Sequence, residues 1–180
     1  RVGQPGGYHE DQAIHIPLPG YLGTARDVLR TAGAGGLLTD LEQQINRAAE
    51  TAAPEAKSIF FDAIGDMTVA DARQILNGPK DAATQYFQRT MSPDLRDAFR
   101  PIVNGQLDQT GAMQTLDETV STYENVPFAS GLADNAQSRL VNHTLDGALD
   151  GLFHYMAQEE AAIRQNPAKR TTDLLKQVFG

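Results

Sequence analysis

The chain has 180 residues, of which 41% are hydrophobic and 21% are charged, and it contains no cysteine. This length suits one hydrophobic core and is short for two, so we expect a single domain. The lack of cysteine excludes a disulfide framework, a thiolate nucleophile and a cysteine-ligated metal site. No apolar run approaches the roughly 20 residues of a transmembrane helix, so none is predicted.

The negative charge is concentrated in one part of the chain. Residues 101–163 hold nine Asp and Glu side chains and one base, Arg139, which gives this part a net charge of −8, equal to that of the whole chain. Nucleic acid is not expected as a partner, because its recognition depends on Lys and Arg at phosphates. The acidic half is interpreted either as a docking face for cations or a basic partner, or as ordinary solvation.

The first twenty residues are predicted to form an extended strap ahead of a helical domain at residues 21–180. Prolines 17 and 19 and the glycines around them disfavour a helix. Ile14, Ile16 and Leu18 alternate, and we expect them to lie along a groove between helices.

From Gly20 onward, apolar residues recur at helical spacing, and no segment alternates as a β-strand does. The pattern predicts an all-α, single-domain bundle of about eight helices. Thr68 and Asp71 resemble a capping box, and Ser92-Pro93 predicts the start of a new helix. A long helix is predicted from about Asp134 to Gln165.

After that long helix, a short final helix is predicted around Leu174, Leu175 and Val178. Residues 127–131 contain proline and glycine and are predicted to form a loop.

The long helix carries most of the candidate site residues. If it is continuous, Glu159 and Glu160 fall on its core side, where ionised carboxylates need cations or donors. Arg164, one turn after Glu160, and Arg170, in the segment that follows, are the expected partners. The cluster is interpreted as a structural ion-pair lock or, alternatively, as a binding or acid/base site.

The opposite face of the same helix carries Asp150 and His154, four residues apart, which form a weak metal-site candidate. Gly147 and Gly151 border that face and weaken the helix, which implies that another segment or a ligand approaches its backbone closely. No standard catalytic or phosphate-binding motif is present, and no cofactor is predicted.

Sequence blocks along nearly the whole chain resemble one bacterial family. They are PGGY at 5–8, IPLP at 16–19, NRAAE at 46–50, AAP at 52–54, AATQYF at 82–87, FRPI at 99–102, LDGLF at 149–153, RTTDLL at 170–175 and VFG at 178–180. The chain resembles the family known as domain of unknown function 4197. Its members look like exported helical proteins, so the resemblance implies a periplasmic or envelope location, with a removed signal peptide or a lipid anchor ahead of residue 1.

Two hypotheses for the function follow. The first is a non-catalytic envelope protein that binds a small ligand or a protein partner, and it predicts a groove lined mainly by carbon. The alternative is a hydrolase-like enzyme, metal-assisted or not, that uses the acidic residues of the long helix. It requires Glu159, Glu160, Asp150 or His154 to converge with Arg164 or Arg170 in one cleft.

Overall fold

The computed structural model describes residues 2–23, 26–31, 33, 35–125 and 135–166. These residues form eight α-helices and one 3-10 turn, with no strand among them, which confirms the all-α prediction. The elements are α1 (Gly20–Gly23), α2 (Arg26–Thr31), α3 (Gly35–Ala52), the 3-10 turn (Ala53–Glu55), α4 (Ala56–Gly65), α5 (Val69–Asn77), α6 (Ala82–Gln109), α7 (Ala112–Glu124) and α8 (Ala136–Gln165). The predicted loop at 127–131 and the predicted final helix lie outside the described residues.

Helix α6 runs unbroken for 28 residues, so the prediction of a new helix at Ser92-Pro93 is wrong. Pro93 and Pro101 both lie on its exposed face, where water can bond the carbonyl groups that a proline leaves unpaired. A single buried stripe continues past both prolines. It consists of Met91, Leu95, Phe99, Val103 and Leu107.

The core forms where α6 packs against α3 and α8. Apolar stripes on these helices, at the spacing that the sequence shows, are buried. Helix α8 ends at Gln165, as predicted, and none of the helices in the described part of the chain is long and apolar enough to cross a membrane. Thr68 and Asp71 form the predicted capping box at the start of α5.

The N-terminal strap packs between α3 and α8 and belongs to the core. Residues 2–10 and 12–14 form turns, and residues 15–19 have no regular secondary structure. Ile14, Ile16 and Leu18 are buried, as their alternation predicts, and Tyr8 is completely inaccessible to solvent. Buried residues of the strap and of the helices therefore belong to one hydrophobic cluster.

Helix α8 meets the strap along a stripe of residues spaced four apart. His143 donates a hydrogen bond from Nε2 to the carbonyl of Pro17 at 2.7 Å. A Cβ at Gly147 would lie 2.8 Å from Ile16, and one at Gly151 would lie 2.4 Å from the ring of Tyr8. The two glycines are therefore explained by the close approach of the strap.

A polar stripe on α3 holds the other side of the strap. Glu42 bonds the His15 ring at 2.8 Å, and Asn46 bonds both the N–H and the carbonyl of Ile16 at 2.9 and 2.8 Å. Glu50 accepts from the backbone N–H groups of Tyr8 and His9 at 3.0 and 3.1 Å. Buried backbone groups that have no ladder partner are paired in this way by side chains.

We predict that Gly151→Ala destabilises the protein by about 2 kcal/mol, because the new methyl group overpacks against Tyr8. The higher helix propensity of alanine offsets only about 1 kcal/mol of this cost. Urea unfolding monitored by circular dichroism measures the difference.

Gly105→Ala in α6 is the matched control, since no atom lies within 4 Å of a Cβ built there. It should stabilise the protein by up to about 1 kcal/mol. Equal effects of the two substitutions would contradict a tight strap contact at Gly151.

Candidate functional site

Glu160 joins the end of α8 to the start of α6. Its carboxylate accepts hydrogen bonds from the backbone N–H groups of Ala83 and Thr84 at 2.9 and 2.8 Å and from the Thr84 hydroxyl at 2.8 Å. These N–H groups lie in the first turn of α6, where a helix has unpaired donors and favours a negative charge. A carboxylate from α8 thus caps α6.

Arg164 completes this junction. Its guanidinium bonds Glu160 Oε1 through Nε and Nη2 at 2.9 and 2.8 Å, and Nη2 also donates to the carbonyl of Ile75 at 2.8 Å. The pair therefore connects α8 with the end of α5 as well as with α6. Of the two interpretations of the cluster, the geometry supports the ion-pair lock.

The surroundings of Glu160 act on its pKa in opposite directions. Burial raises the pKa of this carboxyl, whereas the hydrogen bonds from Ala83, Thr84 and Arg164 lower it, and their combined effect brings it below the usual value for glutamate. The residue is only 8% exposed, so the charged form of its carboxyl depends on these donors.

Glu159 does not share this environment, and the expectation that both carboxylates lie on the core side is wrong for it. Neighbours on a helix are about 100° apart, and Glu159 is exposed where Glu160 is buried. Arg170, the other expected partner, lies outside the described residues.

The predicted metal candidates line a cleft of about 340 Å³ between the strap and α8, which we call the strap cleft. Asp150 is exposed in this cleft, and His154 accepts a hydrogen bond from Gln158 at its Nε2 atom. Asp146 pairs with Arg96 at the same site. Among the described residues, no three His, Asp or Glu side chains are placed to hold a metal ion together, so Asp150 and His154 remain a two-ligand candidate.

A larger groove of about 530 Å³ lies between the strap, α4 and α8. Most of its wall is apolar, and Lys57 and Glu159 are the charged side chains that line it. The apolar wall is formed by Val2, Ala53, Pro54, Ala56, Phe60, Met91, Leu152 and Met156. Glu159, a candidate from the sequence, is thus placed at a groove, whereas Lys57 was not predicted.

The candidate acidic groups do not converge in one place. Glu160 is bound to α6, Glu159 lines the apolar groove, and Asp150 lies with His154 in the strap cleft. The described part of the chain therefore lacks the single acidic cleft that the hydrolase hypothesis requires.

The fold and the groove define a small all-helical domain whose N-terminal strap is part of its core. The chain belongs to the family described as protein of unknown function (DUF4197), whose model matches residues 1–180, the whole chain. The family resemblance seen in the sequence is thereby confirmed. No curated protein and no solved structure matches the chain.

We predict that Glu160→Gln lowers the free energy of unfolding by about 2 kcal/mol at pH 7, because charge-assisted hydrogen bonds to Ala83, Thr84 and Arg164 are weakened. The pKa of Glu160 is lower in the folded protein than in the unfolded chain. The contribution of the Glu160 carboxylate to the free energy of unfolding is therefore complete above the unfolded-chain pKa of about 4.3. It is lost as the pH falls through the lower pKa of the folded protein. Urea titrations should therefore show the difference in the free energy of unfolding between wild type and variant becoming smaller over that acidic range.

Glu159→Gln is the matched control, since it makes the same chemical change at the exposed neighbour. It should change the stability by less than about 0.5 kcal/mol. Two results would contradict the ion-pair lock. They are an equal loss of unfolding free energy in the two variants, and a stability difference between wild type and Glu160→Gln that does not depend on pH.

Proposed function

We propose that this chain is a non-catalytic helical domain of the bacterial envelope that binds a ligand in the apolar groove between the strap, α4 and α8. The observation that carries the proposal is the groove itself, which has about 530 Å³ of space and a mainly apolar wall. Ligand sites are typically concave and apolar, with a few polar groups that orient the ligand.

The charges in the groove favour an amphipathic ligand. Lys57 and Glu159 offer one cation and one anion beside apolar side chains such as Phe60 and Met156. A ligand with an apolar body and a polar head would bury its body against the wall, while its head meets one of these charged groups. The groove is also partly built from strap residues 2–4, so a bound ligand would contact the strap.

We predict that the protein binds the apolar fluorescent dye anilinonaphthalene sulfonate and that Met156→Trp weakens this binding about tenfold. The larger side chain fills part of the groove, and its own apolar surface replaces that of the ligand. Fluorescence titration of the folded wild type and of the variant measures both affinities.

Met113→Trp is the matched control, because Met113 is also half-buried but lies on α7 and does not line the groove. It should leave the affinity unchanged. The proposal fails if the wild type does not bind the dye, or if the two variants weaken binding equally.

The envelope location is supported by the family resemblance. We predict that, in its bacterial host, the protein separates with the periplasmic or membrane fraction and not with a cytoplasmic marker enzyme. Fractionation of osmotically shocked cells with an antibody against the protein tests this. Recovery with the cytoplasmic marker would overturn the location and leave the groove proposal untouched.

A further inference from the structure

The ring of His15 joins the middle of the strap to α3. Its Nδ1 atom lies 3.0 Å from the carbonyl oxygen of His9, and its Nε2 atom lies 2.8 Å from Oε1 of Glu42. The next residue, Ile16, is held to Asn46 of α3 by two hydrogen bonds through its backbone. The His15 ring and the Ile16 backbone therefore bind the same stretch of the strap to the same helix.

Both partners of the His15 ring are hydrogen-bond acceptors. A carbonyl oxygen has no proton to donate, and an ionised carboxylate has none either. A neutral imidazole carries one N–H group and can make only one of the two bonds, whereas the doubly protonated ring donates through both of its nitrogen atoms. The complete contact with His9 and Glu42 therefore requires a positively charged His15 ring.

Other charged and titratable groups surround this contact. Within the strap, the centroid of the His9 ring lies 5.6 Å from that of the His15 ring. From α2, the guanidinium of Arg26 lies 3.7 Å from the second oxygen of Glu42. Helix α8 contributes the groups that line the strap cleft together with His15. They are His143, Asp146, Asp150 and His154. The two aspartates favour a positive charge at His15, whereas Arg26 and any other histidine that is charged oppose it.

The pair of His15 and Glu42 is partly shielded from water, with side chains that are 27% and 25% exposed. Solvent and salt weaken such a pair less than a fully exposed one. His143, the other histidine that holds the strap, differs from His15. Within the described part of the chain its ring makes one hydrogen bond, to the carbonyl of Pro17, and a neutral ring can make that bond. Of these two histidines, His15 is therefore the one whose contact with the strap depends on a second proton.

We propose that His15 and Glu42 form a proton-dependent latch, which docks the strap fully on α3 only while the His15 ring carries two protons. An unfolded chain releases the second proton of histidine near about pH 6.5, whereas the docked strap uses both N–H groups and retains it. The stability that the latch gives to the docked strap is therefore complete below about pH 6.5. It is lost as the pH rises further and the folded ring gives up its proton. The latch does not rest on the ligand that is proposed for the apolar groove.

Hydrogen exchange of the full chain tests the latch. The amide of Ile16 donates to Asn46 Oδ1 at 2.9 Å, so it exchanges only when the strap is released. We expect the protection factor of this amide, corrected for the intrinsic exchange rate, to fall between about pH 6 and about pH 8. The fall should be about fivefold or more, which is the effect of losing one hydrogen bond.

Two variants remove the latch from its two sides. In His15→Gln the side chain takes up no proton, so the protection factor of Ile16 should be lower than in wild type at about pH 6 and equal at both pH values. In Glu42→Gln the new amide can donate as well as accept, so a neutral or a charged His15 ring makes both bonds. The dependence on pH should therefore disappear in this variant too. Circular dichroism verifies the fold, and either variant decides the question if the other does not fold.

His143→Gln is the matched control, because it makes the same chemical change at the other histidine that holds the strap. It should lower the protection factor of Ile16 at both pH values and leave the fall between them in place. Three results would overturn the latch. They are a protection factor that does not fall in wild type, a fall that persists in a folded His15→Gln or Glu42→Gln variant, and a fall that disappears in His143→Gln.

Discussion

The contact between Tyr8 and the backbone of α8 holds the strap inside the helical domain. The Tyr8 ring occupies the space that a side chain at Gly151 would fill, and its hydroxyl donates to the carbonyl of Ala148 at 2.6 Å. Burial first, and then the negative charges of Glu50 and Asp150, raise the pKa of this phenol above its usual value. The hydroxyl therefore stays a donor at neutral pH. Both the strap cleft and the apolar groove have walls made by the strap, so neither exists in this form unless the contact between Tyr8 and α8 is made.

The parts of the fold that follow from local pattern were predictable. The length of α8 followed because thirty residues of apolar periodicity average out single exceptions. The cost of glycine at 151 indicated a close approach to the helix backbone, by another segment or by a ligand, and the structure shows that it is the strap. Helix α6 was not predictable past Ser92-Pro93, because the local signal is that of a helix start. Only the packing of the stripe around Leu95 against other helices keeps the segment continuous.

The candidate site was harder to predict, because it depends on contacts between distant parts of the chain. Helical periodicity sets Glu159 and Glu160 about 100° apart, but it does not show which of them meets hydrogen-bond donors, since Thr84 is 76 residues away in sequence from Glu160. Asn46 and Glu50 were missed for a similar reason. Their spacing of four was visible, but polar residues on a helix are solvated by default, and nothing local shows that a strap covers them.

The position of the apolar groove links ligand binding to the docking of the strap. Residues 2–4 form part of its wall, and a Cβ at Gly3 would lie 2.9 Å from Pro54, which lines the same groove. A ligand that fills the groove would contact the docked strap and would lose those contacts if the strap were released. Binding to one of two states stabilises that state by RT ln(1 + [L]/Kd), where [L] is the free ligand concentration and Kd its dissociation constant. A ligand of this groove would therefore hold the strap in place, and the same coupling requires a strap weakened at Tyr8 or Gly151 to bind that ligand less tightly.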